Sequence, residues 1–431
     1  MLRWAEDYTT LLDQPLRGID RLKYIPLDPA GRSHLSLGGS IREQFEFYNN
    51  RDFGFAEADD DAFLLHRLMV HADLHVDDGV RVFAELGNTR AIGLGEEPPP
   101  LDENRLFLHQ GFIDLAVVDG LDGMPGLDLR VGRQEMPLGS ARLISLRDGP
   151  NNRLSFDAAR ATVSGENWAT DVFAATPVDL QSGVFDDQIN DETLLWGAYG
   201  TLHEIQEHTS VDLYYIGIHR DERRFGNAFG DEVRHSVGTR IFGHTNGFDF
   251  NTELVYQFGS IGSADIAAGT IANDFGYTWA SAPWAPRVGI RLDYSSGARG
   301  AGSTTETFDP LFPKNNYFSE AAVIFPANII DVNPNVTVYP TEHLAIEIMW
   351  DFLWRASPDD AVYIPPGRPL FAPTLSDGRF IGNSLSLLAE YHLARGTSVN
   401  AAFTFFDAGN AVRDAGGEDI VYAAAWVEFK F

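Results

Sequence analysis

Cysteine is absent from this 431-residue chain, and lysine is almost absent, with three lysines against 29 arginines. Without cysteine the protein has no disulfide framework, no thiolate metal site and no thiol nucleophile. The 62 acidic residues give a formal charge of −30, which argues against nucleic acid as a partner because phosphates bind to a basic face. No run reaches the roughly 20 consecutive apolar residues of a transmembrane helix, so a helical membrane protein is excluded.

Apolar and polar side chains alternate along the chain with a period of two. Between residues 248 and 258 the aromatic and aliphatic side chains mostly share one parity, and acids and amides occupy the other. The same alternation recurs at 35–47, 344–355 and 421–431. A sheet whose two faces meet different surroundings requires this pattern. The segments exceed the roughly 5 to 6 residues of an average strand and match the roughly 9 to 11 residues of a membrane-crossing strand.

Further segments with strand character follow along the rest of the chain. They are residues 62–77, 79–88, 104–117, 127–134, 156–164, 167–176, 193–202, 209–219, 232–243, 264–272, 285–295, 326–338, 379–394 and 397–406. Together with the segments above they number about 18, an even count typical of bacterial outer-membrane barrels. Tight turns alternate with long irregular connections at 89–103, 135–155, 296–325 and 356–378. The sequence therefore predicts an all-β fold, a single transmembrane antiparallel up-and-down β-barrel over residues 34–431 with long extracellular loops.

Both ends of the chain are interpreted in this frame. The start, Met1-Leu2-Arg3-Trp4-Ala5, lacks the apolar region of a secretory signal, so we take it as mature protein behind an added methionine. Residues 1–33 are expected to form a lead-in at or below the periplasmic mouth, with a short helix around Trp4 to Leu12. The last strand ends in Phe431 with apolar residues at alternate positions, which resembles the signal that barrel-assembly machinery recognises.

Arginine positions give the main indication of function. Nine arginines have the polar parity of their strands and are expected to point into the lumen: Arg42, Arg67, Arg81, Arg160, Arg234, Arg240, Arg287, Arg291 and Arg355. Facing lipid near the midplane, each would cost about 2 to 4 kcal/mol. Acids share the inner face, so two interpretations stay open. The charges form a structural network of ion pairs, or some arginines form a constriction that selects anions, since the planar guanidinium suits carboxylates.

Other groups of polar residues give weaker indications. His71 and His75 share a strand face but are separated by about 13 Å, too far to hold one metal ion. The acidic stretch Asp59-Asp60-Asp61 lacks the ligand spacing of a calcium loop and is interpreted as a solvated loop. No GxSxG, HExxH or P-loop motif is present. We therefore expect no enzymatic activity, no catalytic residue, no cofactor and no bound metal.

Residues 129–157 carry a set of short motifs that continues later in the chain. The pieces are Leu129-Arg130-Val131-Gly132-Arg133-Gln134, Gly139-Ser140-Ala141-Arg142-Leu143, Arg147-Asp148-Gly149-Pro150-Asn151, Ser155-Phe156-Asp157, Phe308-Asp309-Pro310-Leu311-Phe312-Pro313 and Phe352-Leu353-Trp354-Arg355. Their combination and order resemble the alginate-export porin family. The resemblance implies a barrel of about 18 strands with an arginine-rich constriction partly closed by inward-folded loops.

The resemblance also implies roles in that constriction for Arg133 and Arg355. Arg355 has the inward parity of its strand. Arg133 shares the parity of Leu129 and Val131, and a bulge at Gly132 would be needed to turn it inward. The chain is shorter than the dedicated alginate exporter and lacks the strand arginine expected in its last part, so we expect a broad family member.

These observations favour an outer-membrane porin of a Gram-negative bacterium for the passive passage of anionic or sugar-like solutes. Acidic oligosaccharides, uronates and organic acids are the expected solutes of the arginine-lined constriction. Outer-membrane lipid or lipopolysaccharide is an expected partner, as is the barrel-assembly machinery through Phe431. Two alternatives stay open: an outer-membrane barrel enzyme of the lipase or protease type, and a plugged structural or adhesive barrel.

Overall fold

The computed structural model describes most of the chain. The described residues are 2–6, 8, 18–29, 32–55, 60–77, 79–94, 97–118, 125–206, 208–300, 302–314 and 316–431. Among them, no helix is long and apolar enough to cross a membrane. The helical segments of this part are short: 3-10 turns at Arg3–Ala5, Arg51–Gly54 and Pro373–Leu375, and helices α1 at Asp20–Lys23 and α2 at Asn410–Arg413.

Eighteen long strands in the described part of the chain form one antiparallel sheet. They are β1 His34–Asn49, β2 Asp60–Val76, β3 Val80–Ile92, β4 Asn104–Val118, β5 Gly126–Gln134, β6 Phe156–Ser164, β7 Trp168–Asp179, β8 Thr193–Gln206, β9 Thr209–Phe225, β10 Ala228–Thr245, β11 Phe248–Ile261, β12 Ala264–Thr278, β13 Arg287–Ser295, β14 Ile329–Thr341, β15 Leu344–Arg355, β16 Phe380–Ala394, β17 Thr397–Ala408 and β18 Ile420–Lys430. Each long strand pairs with its neighbour in the chain.

The first and last strands close the sheet into a barrel. Strand β1 pairs with β18 from Ser40 opposite Lys430 to Asn49 opposite Val421. Closure removes the two free edges, so the backbone groups of every strand are paired where no water is available. The predicted barrel and its strand number are confirmed.

The connections differ between the two rims. At the turn rim they are residues 77–79, 119–125, 165–167, 207–208, 246–247, 279–286, 342–343 and 395–396. At the loop rim they are loops L1 50–59, L2 93–103, L3 135–155, L4 180–192, L5 226–227, L6 262–263, L7 296–328, L8 356–379 and L9 409–419. The long loops are thus gathered at one end of the barrel, which is the asymmetry of outer-membrane barrels.

Strand β11 shows how the alternation places side chains. Its outward residues Phe248, Leu254 and Tyr256 are 57%, 53% and 52% exposed, whereas the inward Glu253 and Gln257 are 3% and 0% exposed. A water-soluble protein would have the opposite arrangement. Exposed apolar and enclosed polar side chains indicate hydrocarbon outside the wall and a polar interior.

Loops L3 and L7 enter the barrel and contact each other. Ile144 of L3 and Phe312 of L7 form a parallel β-bridge. The amide of Ser145 donates to the Phe312 carbonyl at 3.0 Å, and the Phe312 amide donates to the Leu143 carbonyl at 2.8 Å. The Phe312 ring meets Phe156 of β6 edge to face, at 5.4 Å between centroids. The prediction of inward-folded loops is confirmed, and apolar contacts fix both loops to the wall.

Two predicted features fall partly outside the described residues. The helix expected from Trp4 to Leu12 is a 3-10 turn at Arg3–Ala5, and residues 9–12 are not described. Residues 56–59 of the acidic loop also lie outside them. Asp61 belongs to β2, where its carboxylate lies 3.3 Å from Arg51.

Candidate functional site

A cavity of about 540 Å³ opens among the loops above the inner face of β1 and β2. Its wall carries charges of both signs and a few rings: Tyr48, Arg51, Asp52, Asp61, Phe63, Leu101, Asp102, Arg147, Glu320, Pro365, Pro366 and Arg368. Tyr48, Glu46 and Gln44 follow one another down the inner face of β1 at steps of about 6.6 Å. The next inward residue on this path is Arg42.

Arg42 and Arg67 lie directly opposite each other in the β1–β2 register. Like charges at such a position destabilise a sheet unless an anion lies between them. Asp148 of L3 supplies that anion. Arg67 Nη1 is 2.9 Å from Asp148 Oδ1, and Arg42 Nη1 donates to the Asp148 carbonyl at 3.2 Å. Arg153 Nε lies 3.2 Å from the same Oδ1. We call Arg42, Arg67 and Arg153 the arginine triad.

The Asp148 carboxylate faces open lumen. Its side chain is 64% exposed, whereas those of Arg67 and Arg153 are 5% and 12% exposed. Enclosure by the barrel raises the pKa of Asp148, but the charges of Arg67, Arg153 and Arg42 outweigh this effect and hold the pKa well below its ordinary value. The carboxylate is therefore ionised and water-accessible at the triad.

The residues after Asp148 are fixed to the barrel wall. The side-chain nitrogen Nδ2 of Asn151 donates to the carbonyls of His66, Arg90 and Asp102 at 3.0, 3.2 and 2.9 Å. The next residue, Asn152, accepts a 2.8 Å hydrogen bond from Thr89 and donates through its main chain to Leu101. These bonds satisfy carbonyls of β2, β3 and L2 and set the height of Asp148 in the lumen.

A second basic group surrounds Asp309 of L7. Arg220 lies 2.6 Å from its carboxylate and Arg223 lies 3.7 Å from it. Burial raises the pKa of Asp309, and Arg220, Arg223 and Arg234 lower it further than burial raises it. Arg147 of L3 is close enough that burial and the charge of Arg220 lower its pKa to about 10. This group holds L7 to β9 and β10.

Most of the strand arginines that were predicted to line the lumen form ion pairs with carboxylates. Arg81 contacts Asp73 at 2.6 Å, Arg160 contacts Asp171 at 2.6 Å, Arg234 contacts Glu232 at 2.6 Å, Arg240 contacts Asp212 at 3.1 Å, and Arg287 contacts Asp249 at 2.5 Å. Arg291 instead donates to the Tyr317 carbonyl of L7 at 2.9 Å. For these six the structural ion-pair or loop-anchoring interpretation has direct support in the geometry. Their part in conduction stays a prediction.

Arg133 lies on the outward face, which corrects the expectation that it lines the pore. The register with β4 and β6 runs through Gly132 without a bulge, so Arg133 keeps the side of Val131, which is 59% exposed. Its guanidinium binds Asp157 through two contacts of 2.9 Å. Gly132 is required for close strand contact, because a Cβ there would lie 2.2 Å from the Gly111 carbonyl oxygen.

Arg355 points inward but is fully buried under L8. Its guanidinium donates to the carbonyls of Gly378, Ser376, Pro358 and Asp360, with Nε to Gly378 at 2.8 Å and Nη2 to Ser376 at 2.6 Å. All of these acceptors are backbone groups of one loop. The geometry thus gives Arg355 the role of holding L8, and a role in the constriction stays a prediction.

Sequence reasoning missed the inner-loop cations Arg142, Arg147, Arg153 and Lys314. Strand parity has no meaning in loops, so it gave no indication for them. The available signal was the resemblance itself, since Arg142 and Arg147 lie inside the quoted motifs. For metal, the described residues contain no group of three or more His, Asp or Glu side chains placed to hold an ion.

A closed 18-stranded barrel with two loops inside it narrows the choice of family. A family model described as Alginate export matches residues 33–425. This chain belongs to the Alginate export family. A search of curated proteins found no matching sequence.

Solved structures of Pseudomonas porins share the fold of this Alginate export protein. OccK9 (OpdG) from Pseudomonas aeruginosa has a TM-score of 0.63 at 10% identity, with 92% of this chain and 98% of that chain covered. A BenF-like porin from Pseudomonas fluorescens Pf-5 has a TM-score of 0.62 at 8% identity and the same coverage. OpdK from P. aeruginosa, solved with vanillate, has a TM-score of 0.58 at 11% identity, again with 92% and 98% covered.

The family and the fold together locate the protein. It is an outer-membrane, porin-like β-barrel of a transport family. Long loops of such barrels face outward from the cell and short turns face the periplasm, so the loop rim is the extracellular rim. The cavity above the arginine triad is then an outer vestibule.

Proposed function

We propose that this barrel passes small anionic solutes passively, through the gap beside Asp148 and the arginine triad. The expected solutes are organic acids, uronates and short acidic oligosaccharides. The observation that carries the proposal is the placement of Arg42 directly opposite Arg67 on the inner face of β1 and β2, next to Asp148. Arg67 there binds the carboxylate of Asp148, and a solute carboxylate can be bound in the same way.

The guanidinium groups of the triad already bind carboxylates, and one of these carboxylates is exposed. Three guanidinium groups meet the carboxylates of Asp148 and Glu135, the latter 3.1 Å from Arg153 Nε. Glu428 lies opposite Arg42 in the β1–β18 register and acts on its charge, so the charges of this group are roughly balanced. At about 4 Å a unit charge contributes about 1 kcal/mol in a water-like medium and about 4 kcal/mol at an effective dielectric constant near 20. An attraction of this size is available to a solute anion that takes the place of Asp148.

The lining of the vestibule suits solutes that combine a charge with an apolar part. Tyr48, Phe63 and Leu101 line one side of it, close to the cation of Arg51. The related fold of OpdK was solved with vanillate, an aromatic carboxylate. An aromatic acid could place its ring against the apolar side and its carboxylate toward the triad. Organic acids are therefore the first solutes to test.

The proposal also covers the roles of the two ends of the chain. Residues 1–33 act as a periplasmic lead-in and residues 34–431 form the barrel. The Trp4 ring lies on the guanidinium of Arg130 at 3.9 Å, on the inner wall near the turn rim. Phe431 pairs with Gly39 in the closing seam, and Lys23 donates to its carbonyl at 2.7 Å. We infer that Phe431 serves recognition by the assembly machinery, and that the apolar outer wall contacts lipid and lipopolysaccharide.

The test is conductance in planar bilayers across a KCl concentration gradient. The proposal expects a steady current whose reversal potential shows anion preference, reduced by benzoate added on the vestibule side. A silent, correctly folded barrel would instead favour the plugged structural barrel, which the contact between L3 and L7 makes the second candidate. Hydrolysis of lipid or peptide by a silent barrel would favour an enzyme.

A further inference from the structure

We propose that Asp148 is a tethered carboxylate that occupies the arginine triad and that a solute carboxylate must displace. This inference rests on the proposed function and adds a regulation of the same site. L3 brings to the triad the functional group that the solute itself would carry. The empty and the loaded pore then differ in which carboxylate the arginines hold.

The contacts of Asp148 are those of an exchangeable occupant. Its Oδ1 accepts from Arg67 at 2.9 Å and lies 3.2 Å from Arg153, while most of the side chain faces water. A structural ion pair of this barrel looks different: the Glu232 side chain, held by Arg220 and Arg234, is fully buried. Water can therefore replace the contacts of Asp148 as it leaves, but those of Glu232 cannot be replaced in this way.

Exchange requires the side chain alone to move. On the N-terminal side, Ser145 is bonded to the Phe312 carbonyl of L7. On the C-terminal side, Asn151 is bonded to the carbonyls of His66, Arg90 and Asp102. Two residues separate each of these fixed points from Asp148. Rotation about its side-chain bonds is a fast motion for an exposed residue, and it frees Arg67 and Arg153 while the loop stays in place.

The triad also has a donor that Asp148 does not use. Among the described residues, Nε of Arg42 is buried and has no hydrogen-bond acceptor. The Arg42 Nη1 contact goes to the main chain of Asp148, at its carbonyl oxygen, and persists when the side chain rotates. A solute carboxylate with two oxygens matches the planar fork of a guanidinium. The chemical class that the freed site favours is a carboxylate, ahead of a neutral sugar.

The experiment compares block of the KCl current by benzoate in the full-length protein and in Asp148→Asn. Asparagine keeps the shape of the side chain and removes its charge. The expected result is half-block at a benzoate concentration about two- to fivefold lower, because the exposed ion pair that competes is worth up to about 1 kcal/mol. Asp148→Glu keeps a competing carboxylate and is expected to behave like the wild type. Asp186→Asn removes the same charge from exposed L4 and serves as the matched control.

The outcomes separate this inference from the proposed function. If Asp148→Asn forms a heat-modifiable, conducting barrel whose half-block concentration is unchanged or higher, while Arg67→Gln weakens the block, the tethered-carboxylate role is wrong and anion transport stands. If wild-type current shows neither anion preference nor benzoate block, both fail. A neutral sugar of similar size is expected to show no difference between wild type and Asp148→Asn.

Discussion

Removing one charge from the Arg42–Arg67 pair is the most direct test of the anion pathway. We expect Arg67→Gln to weaken benzoate block and to shift the reversal potential toward cation preference. Arg67 Nη1 lies 2.9 Å from the Asp148 carboxylate, so a solute carboxylate in that position is about 4 Å away between charge centres. Coulomb attraction there is about 1 kcal/mol in a water-like lumen and about 4 kcal/mol at an effective dielectric constant near 20.

The lower of these values corresponds to about a fivefold change in affinity. Because the triad faces water on one side, we expect a change of about five- to tenfold at low salt. The change should shrink at high salt, since the screening length falls from about 10 Å at 0.1 M to about 3 Å at 1 M. Bilayer recordings of benzoate block at both salt concentrations measure this directly.

Arg160→Gln is the matched control, because it removes the same charge from the inner wall. Arg160 is held by two contacts to Asp171, at 2.8 and 2.6 Å, so its charge is already compensated. We expect a clearly smaller effect on block than for Arg67→Gln. Equal effects of the two variants would show that total lumen charge, and not the triad, governs anion preference, and would refute the reasoning.

Three further predictions concern the loops that shape the lumen. Phe312→Ala removes a buried ring and its contact with Phe156, at a cost of about 3 to 5 kcal/mol for a buried Phe→Ala change. We therefore expect larger and noisier currents, and unchanged noise would show that the L3–L7 contact does not restrain the loops. Burial and the charges of Arg291 and Arg142 lower the pKa of Lys314 to about 8, so raising the pH from about 7 to about 9 removes the charge of this lysine. Anion preference should fall over this range in the wild type and stay constant in Lys314→Met. A parallel fall in both proteins would show that Lys314 does not contribute to anion preference. Arg355→Lys removes the guanidinium group that binds the carbonyls of L8, so we expect faster proteolysis within L8 and little change in anion preference. A large loss of anion preference would instead place Arg355 in the constriction.

The strand pattern was predictable because two solvents enforce it. Arg42 and Arg67 were assigned to the inner face from parity, and the structure places them there, with Arg42 opposite Arg67. Parity alone also indicated that Arg133 faces outward. The uninterrupted register through Gly132 keeps it on that side. The resemblance suggested a pore role for Arg133 that its place on the strand does not permit.

The partners of each arginine were not predictable from the strand pattern. Arg42 contacts Asp148 across 106 positions of sequence, and Arg355 contacts loop carbonyls 21 and 23 positions away. Their side chains have the same parity and both are buried, yet L3 covers Arg42 and L8 covers Arg355. Parity fixes the side of the wall but carries no information about which loop covers that side.

The sequence by itself determined the closed sheet, its inner and outer faces and the inward direction of most arginines, since each follows from the local rule that adjacent strand residues face opposite sides. The tertiary structure alone decided which group each arginine binds, because the paths of L3 and L7 depend on distant contacts such as those of Asn151 and Phe312. Neighbouring residues set the local alternation, whereas the partner of a charged side chain depends on which residues long-range packing brings next to it.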